Sequence, residues 1–152
     1  MPNVTEGQPA PDFTLPAADG TEVTLWSLRG KWVVVFFYPK DNTTGCTAEA
    51  CAFRDSHEDF TDAGAVVIGI SSDSVDSHQR FAAKHNLPFT LLSDTGGKVR
   101  GDWGVGRTFG ILPGRVTYVI DPEGVVRKVF SSQLRATAHQ SEALQAITAS
   151  AA

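Results

Sequence analysis

One run of seven residues limits the folds open to this chain: Trp32 to Tyr38 reads Trp-Val-Val-Val-Phe-Phe-Tyr and carries no charge. A strand with one wet face alternates apolar and polar residues, whereas a run that is apolar at every position has to be covered on both faces. Such a strand belongs in the middle of a sheet, so the rest of the chain has to supply a layer on each side of it.

The strand hands over to Pro39-Lys-Asp-Asn-Thr-Thr-Gly-Cys46-Thr-Ala-Glu-Ala-Cys51, which runs into helix-forming residues. Both cysteines therefore fall where a strand passes into a helix. Backbone N–H groups at a helix start are unpaired and partly positive, which favours an anion such as a thiolate there. Cys46 is the candidate thiolate. Five steps along an intact helix separate Cα atoms by roughly 8 to 9 Å, and a disulfide wants less than about 7 Å. A permanent bridge between Cys46 and Cys51 is geometrically poor; a pair that cycles between a helix and a locally unwound loop is allowed.

Around this junction the pattern alternates. The Asp19-Gly20 turn signal, with Phe13 and Leu15 before it and Val23 and Leu25 after, predicts a hairpin followed by a turn near Ser27. A helix is expected to run on to about Phe60, with Phe53 and Phe60 inward and Gly64 ending the excursion. Strands are expected over 65–70 and 89–92, with a helix over 75–85 between them, capped by Ser72, Asp73 or Ser74, and a short helix over 93–103. Residues 104–114 read as a loop. Strands over 115–120 and 125–130 are joined by the turn Asp121-Pro-Glu-Gly124, and a closing helix starts near Ala136 and frays from Thr148. This is the order of an α/β, thioredoxin-like fold: a central mixed β-sheet flanked by helices, with an N-terminal β-hairpin extension, as one domain over 1–152.

Composition removes several functions. A net charge of −4 and a pI near 5.5 provide no basic patch for nucleic acid. No apolar run reaches the roughly 18 residues that cross a bilayer, so no membrane partner is expected. The amino end lacks the charged start and apolar stretch of a secretory signal, and the expected location is the cytoplasm. In a reducing compartment two thiols point to catalysis or redox sensing rather than to a structural bridge. They are also half a zinc site, but no histidine pair at ligand spacing completes it, and neither metal nor cofactor is expected. His57, His78, His85 and His139 stand singly on polar helical stretches and read as surface residues.

Pro39, Thr43 and Cys46 stand at the spacing Pro-x-x-x-Thr-x-x-Cys, and Arg115 opens Arg-Val-Thr-Tyr-Val-Ile-Asp. This combination resembles the active-site residues of the peroxiredoxins. The Cys46 to Cys51 spacing, Glu49 between them and Phe-Ser-Ser-Gln at 130–133 are similar to the bacterioferritin-comigratory-protein and peroxiredoxin Q subfamily. The segment at 109–115 looks most like its cyanobacterial and plastid branch. The likeness runs from about Gly7 to Leu144, with one departure: Thr44 stands where a proline commonly precedes the Gly45-Cys46 pair, which implies a less rigid loop.

The resemblance implies a thioredoxin-dependent peroxidase. Cys46 would attack hydrogen peroxide or an alkyl hydroperoxide and become a sulfenic acid; Cys51 would condense with it to an intramolecular disulfide; thioredoxin or a similar dithiol would reduce that bond. A monomer is implied as well. The residues suit the chemistry. Lowering a thiol pKa from about 8.5 to about 6 raises its ionised fraction about thirtyfold at pH 7. A Brønsted slope of about 0.4 to 0.5 takes back about ten- to twentyfold of that gain. A large acceleration must come from stabilising charge on the departing oxygen. Arg115 can aim its fork at the peroxide oxygens, Thr43 can receive or relay the peroxide proton, and Pro39, with no N–H, can shield the thiolate. Glu49 alone would raise the thiol pKa, so it is expected to pair with Arg115 or another cation.

Plainer roles compete: Thr43 as a helix cap, Arg115 as a solvated strand residue, Cys51 as a small core residue, and Trp103 and Phe109 as core or pocket wall. Two other functions remain in view. One is a protein dithiol–disulfide oxidoreductase, against which the missing Cys-x-x-Cys argues. The other is a redox-sensing holdase whose oxidised helix would expose Phe53 and Phe60.

Overall fold

The structure is a computed structural model that describes residues 4–105, 107–108, 112–113, 115–132 and 135–151. A short hairpin, β1 (Thr14–Pro16) and β2 (Glu22–Thr24), opens the chain, and a 3-10 turn at Leu25–Leu28 leads to β3 (Trp32–Phe37). There follow α1 (Thr44–Asp55), α2 (His57–Asp62), β4 (Ala65–Ser71), α3 (Val75–His85), β5 (Thr90–Ser93) and α4 (Lys98–Asp102). Two-residue strands β6 (Arg107–Thr108) and β7 (Leu112–Pro113) precede β8 (Val116–Ile120), β9 (Val126–Ser131) and α5 (Ala138–Ala151).

The main sheet has the order β5-β4-β3-β8-β9, so the apolar run forms its centre. Strands β3, β4 and β5 are parallel, and β8 returns antiparallel to β3. Because successive side chains point to opposite faces, β3 alternates between two cores. Val33, Val35 and Phe37 join Phe13, Leu15, Ile68, Ile70, Trp103 and Tyr118 on the face covered by the hairpin and α4. Val34, Phe36 and Tyr38 join Phe53, Phe60, Phe81, Ala143 and Ile147, contributed by the other helices. The hairpin also shields an edge of the sheet: Ala17 bridges Leu92, and the Ala18 N–H donates to the Leu91 carbonyl at 3.0 Å.

The differences from the sequence expectation are local. The helix after the cysteines is broken at Ser56, where ψ rises to 10°, so Phe53 and Phe60 reach the same core from two helices. The expected loop at 104–114 contains a minimal antiparallel ribbon, β6 with β7, too short to leave a periodic signal; Phe109 and Gly114 lie outside the described residues. The short helix over 93–103 is trimmed to 98–102 because Asp94 accepts the N–H groups of Val99 and Arg100. The closing helix does not fray at Thr148, whose hydroxyl donates back to the Leu144 and Gln145 carbonyls.

Gly69 shows how tightly the helical face is filled. A Cβ there would lie 2.7 Å from Phe36 Cζ and 2.8 Å from Leu91 Cδ2. Gly69→Ala should therefore destabilise the protein by about 1 to 3 kcal/mol through overpacking, read as a lower urea midpoint at unchanged m-value.

Candidate active site

The site is built where β3 ends and α1 begins. Tyr38 leaves the sheet with its carbonyl held by Arg100 Nη2 at 2.7 Å. Its hydroxyl donates to Asp41 Oδ1 at 2.6 Å, and Asp41 Oδ2 also faces His78 Nδ1 at 2.7 Å and Ser77 Oγ at 2.9 Å. The Asp41 N–H donates to Asp73 Oδ2 at 2.8 Å, and His78 Nε2 donates to the Leu92 carbonyl at 2.9 Å. Burial, then the charge of Asp41, pushes the Tyr38 phenol well above its ordinary value, so it stays a donor. This network ties the junction to α3 and β5. One ligand atom each from Asp41, Asp73 and His78 lies within 4.8 Å of the others, but those atoms already satisfy one another and their neighbours.

Asn42 then adopts a left-handed backbone (φ 65°), which asparagine tolerates, and Thr43 is the extended residue before α1. Cys46 is the third residue of α1, and the first helical bond is from the Thr47 N–H to the Thr43 carbonyl. The N–H groups of residues 44–46 therefore precede the helical ladder and supply the positive end foreseen for the thiolate. Cys46, Glu49, Ala50 and Phe53 form the buried stripe of α1 at the i, i+3, i+4, i+7 spacing.

Arg115 reaches this stripe from the residue before β8. It is buried, donating from Nη2 to Cys46 Sγ at 3.3 Å and from Nη1 to Glu49 Oε1 at 2.5 Å. Gly45 makes the approach possible, since a Cβ there would sit 3.0 Å from Nη2. The sulfur of Cys46 is 1% exposed as a residue yet lies against a guanidinium, not in a wholly apolar interior. Burial pushes the Glu49 carboxyl up to about 8, and the charge and hydrogen bond of Arg115 do not cancel the rise.

The other expected residues are placed less centrally. Thr43 is exposed; its hydroxyl donates to the Lys40 carbonyl at 3.1 Å and makes no capping bond and, among the described residues, no bond to the sulfur. Pro39 is half-buried. Cys51 is half-buried on a different side of α1 from Cys46, with Sγ 4.0 Å from His85 Nδ1; both cysteines are free thiols. Neither His78 nor His139 is a surface residue: both are fully buried, and His57 and His85 are half-buried. The missed signal was helical spacing. His78 stands three residues before Phe81, and His139 stands four before Ala143 and eight before Ile147.

The AhpC/TSA family model matches residues 6–129. The chain belongs to the AhpC/TSA family. It is 55% identical over 143 residues to the chloroplastic peroxiredoxin Q of Sedum lineare, covering 93% of this chain and 77% of that one. It is likewise 55% identical over 147 residues to chloroplastic peroxiredoxin Q of Arabidopsis thaliana, covering 96% and 68%. The fold matches the crystal structure of peroxidoxin BcpB from Mycobacterium tuberculosis with a TM-score of 0.89 at 39% identity, over 97% of this chain and 98% of that one. It matches the Xanthomonas campestris bacterioferritin comigratory protein with a TM-score of 0.86 at 34% identity, over 92% of each.

The chain is thus a peroxiredoxin with a thioredoxin-like fold, a thiol-dependent peroxidase acting on a peroxide with a thiol reductant. The expected cytoplasmic location is corrected by the same comparison. Relatives from Sedum, Arabidopsis and Suaeda salsa are named chloroplastic, which points to a plastid setting instead. The cytoplasmic reading rested on the amino end of the sequence, which does not report location. Among the described residues no helix is long and apolar enough to cross a membrane.

The peroxiredoxin site makes a prediction about stability. Burial raises the Glu49 carboxyl to about 8 and lowers the imidazole of His139 to about 4, the latter against a hydrogen bond to Ser132. Between about pH 4.5 and 6.5 the native state keeps on Glu49 a proton that the unfolded chain holds on its free histidine, so the two effects cancel. From about pH 6.5 to 8 only the Glu49 proton remains, the native state binds more protons, and stability falls with rising pH by about 2 kcal/mol. Urea unfolding at a series of pH values should show this decline, and Glu49→Gln should flatten it.

Proposed function

We propose that Cys46 is the peroxidatic nucleophile and Cys51 the resolving thiol of an intramolecular two-cysteine cycle. The observation that carries the reading is the Arg115 fork, 3.3 Å from the Cys46 sulfur at the first turn of α1. The Cys46 thiolate attacks one peroxide oxygen, the O–O bond breaks, and the departing hydroxide or alkoxide takes a proton, leaving a sulfenic acid on Cys46. Arg115 offers its remaining donor capacity to the charge that moves onto the leaving oxygen. The Thr43 hydroxyl, its proton engaged by Lys40, keeps lone pairs free to receive the peroxide proton. Pro39 shields the sulfur, Gly45 admits the guanidinium and Glu49 orients it.

The Cys51 thiol then condenses with the sulfenic acid, forming the S–S bond and releasing water. The segment 44–51 leaves the helix for this step, while Phe53, stacked on Phe36 at 4.5 Å, anchors the rest of α1. Thioredoxin or a similar dithiol protein returns both thiols. Substrates are hydrogen peroxide and small alkyl hydroperoxides; alkyl peroxide reduction is an activity of the Xanthomonas relative. The protein acts as a monomer, one peroxiredoxin domain over 1–152, without metal or cofactor.

Steady-state peroxide consumption coupled to thioredoxin should fall to background in Cys46→Ser. Cys51→Ser should form one equivalent of sulfenic acid, trapped by a dimedone probe, and then stall on thioredoxin. Undiminished turnover in Cys46→Ser would reject the assignment.

A further inference from the structure

His139 has no part in the cycle above, yet it is fully buried against the carboxyl group that holds Arg115. Its Nε2 lies 2.8 Å from the Ser132 carbonyl, which can only accept, so Nε2 carries a hydrogen. Its Nδ1 lies 2.7 Å from Thr117 Oγ1 and 3.5 Å from Glu49 Oε2. Glu49 Oε1 is taken by Arg115, whereas Oε2 is buried with no hydrogen-bond partner among the described residues. The imidazole is thus the polar group facing that orphaned oxygen. The ring is held edge-on by Phe130, with centroids 4.7 Å apart, so its orientation is set by packing as well as by hydrogen bonds.

Charge decides what such a contact does. A Cys46 thiolate and the Arg115 guanidinium cancel. A bare Glu49 carboxylate would add an uncompensated negative charge to a buried site and compete with the sulfur for Arg115. One proton on the Glu49–His139 pair removes that competition whether it rests on Oε2 or on Nδ1. The groups facing the pair are Cys46 from the same helix as Glu49, Arg115 before β8, Thr117 on β8 and Arg135 ahead of α5; Arg115 and Arg135 disfavour an imidazolium on His139, while Arg115 also favours the ionised form of Glu49 against the effect of burial.

We propose that His139 is a positioning residue: with Glu49 it retains one proton, which leaves the charge of Arg115 committed to the sulfur of Cys46. This rests on Cys46 being the nucleophile. Loss of the shared proton at alkaline pH frees a carboxylate that draws the guanidinium off the sulfur, so peroxide attack slows. A second basic site can only strengthen the hold of the pair on its proton, so removing the imidazole should release it at lower pH.

The test is the single-turnover rate of sulfenic acid formation with hydrogen peroxide across pH 6 to 9. The alkaline decline should move to lower pH by about half a unit or more in His139→Gln, the worth of one hydrogen bond that Nδ1 accepts from the protonated Glu49 carboxyl. It should move upward in Thr117→Val, where Nδ1 loses its competing hydroxyl and turns to Glu49. In a Glu49→Gln background, His139→Gln should not move the profile. An unmoved decline in both single variants, or an equal loss at every pH, would overturn the proposal. Infrared difference spectra of Glu49→Gln against the parent, repeated in a Cys46→Ser background, read the proton without any peroxidase activity. A carboxylic acid band or an imidazolium signal at pH 7 supports the shared proton, and the absence of both refutes it even where Cys46 is not the nucleophile.

Discussion

The guanidinium of Arg115 lies between two groups that compete for it, the sulfur of Cys46 at 3.3 Å and the carboxyl of Glu49 at 2.5 Å. Unit charges at the first distance attract by about 5 kcal/mol at an effective dielectric constant of about 20. That is comparable with the several kcal/mol that burying an ion costs, so a thiolate is tolerable at this depth only beside its cation. The rest of the architecture keeps that distance short. Because β8 pairs with β3, the residue before β8 is delivered beside the carboxyl end of the central strand, where α1 starts.

The helix that presents the sulfur also limits the reaction. Its unpaired N–H groups favour the anion, and its buried stripe seats Cys46 in the core, but an intact helix keeps Cys51 out of bonding range. The proposed cycle through both thiols would therefore need the helix stable where it is anchored and yielding where it starts. The contacts follow that division. The loop before α1 is tied to α3 and β5 through Asp41 and His78, and Phe53 is sandwiched among Phe36, Phe60 and Phe89. Between those anchors, Cys51 is held by a long sulfur contact to His85.

Much of this is legible in the sequence. The apolar run announces a central strand because only two-sided burial removes all polar residues from a strand, and the helix over 75–85 has the expected limits, with Ser74 of the three candidates as its cap. Glycine and proline punctuation located both hairpins. The misreadings share a cause. His78 and His139 read as surface residues because their chain neighbours are polar, whereas burial follows the neighbours one turn away. The break at Ser56 and the ribbon β6–β7 are events of one or two residues, shorter than any period that a sequence can display.

The sequence by itself determined the layered fold, the strand-to-helix junction and the presence of a thiol at a helix start, because these depend on residue type and on spacing within about a dozen positions. Only the tertiary structure decided which distant groups share that junction. Arg115 is 69 residues from Cys46 and 66 from Glu49, and His139 lies beyond both. Their meeting depends on strand order and on which face of α5 turns inward. These are outcomes of packing the whole chain into one core, and they set the charge balance at the sulfur because electrostatics follows distance in space, not along the chain.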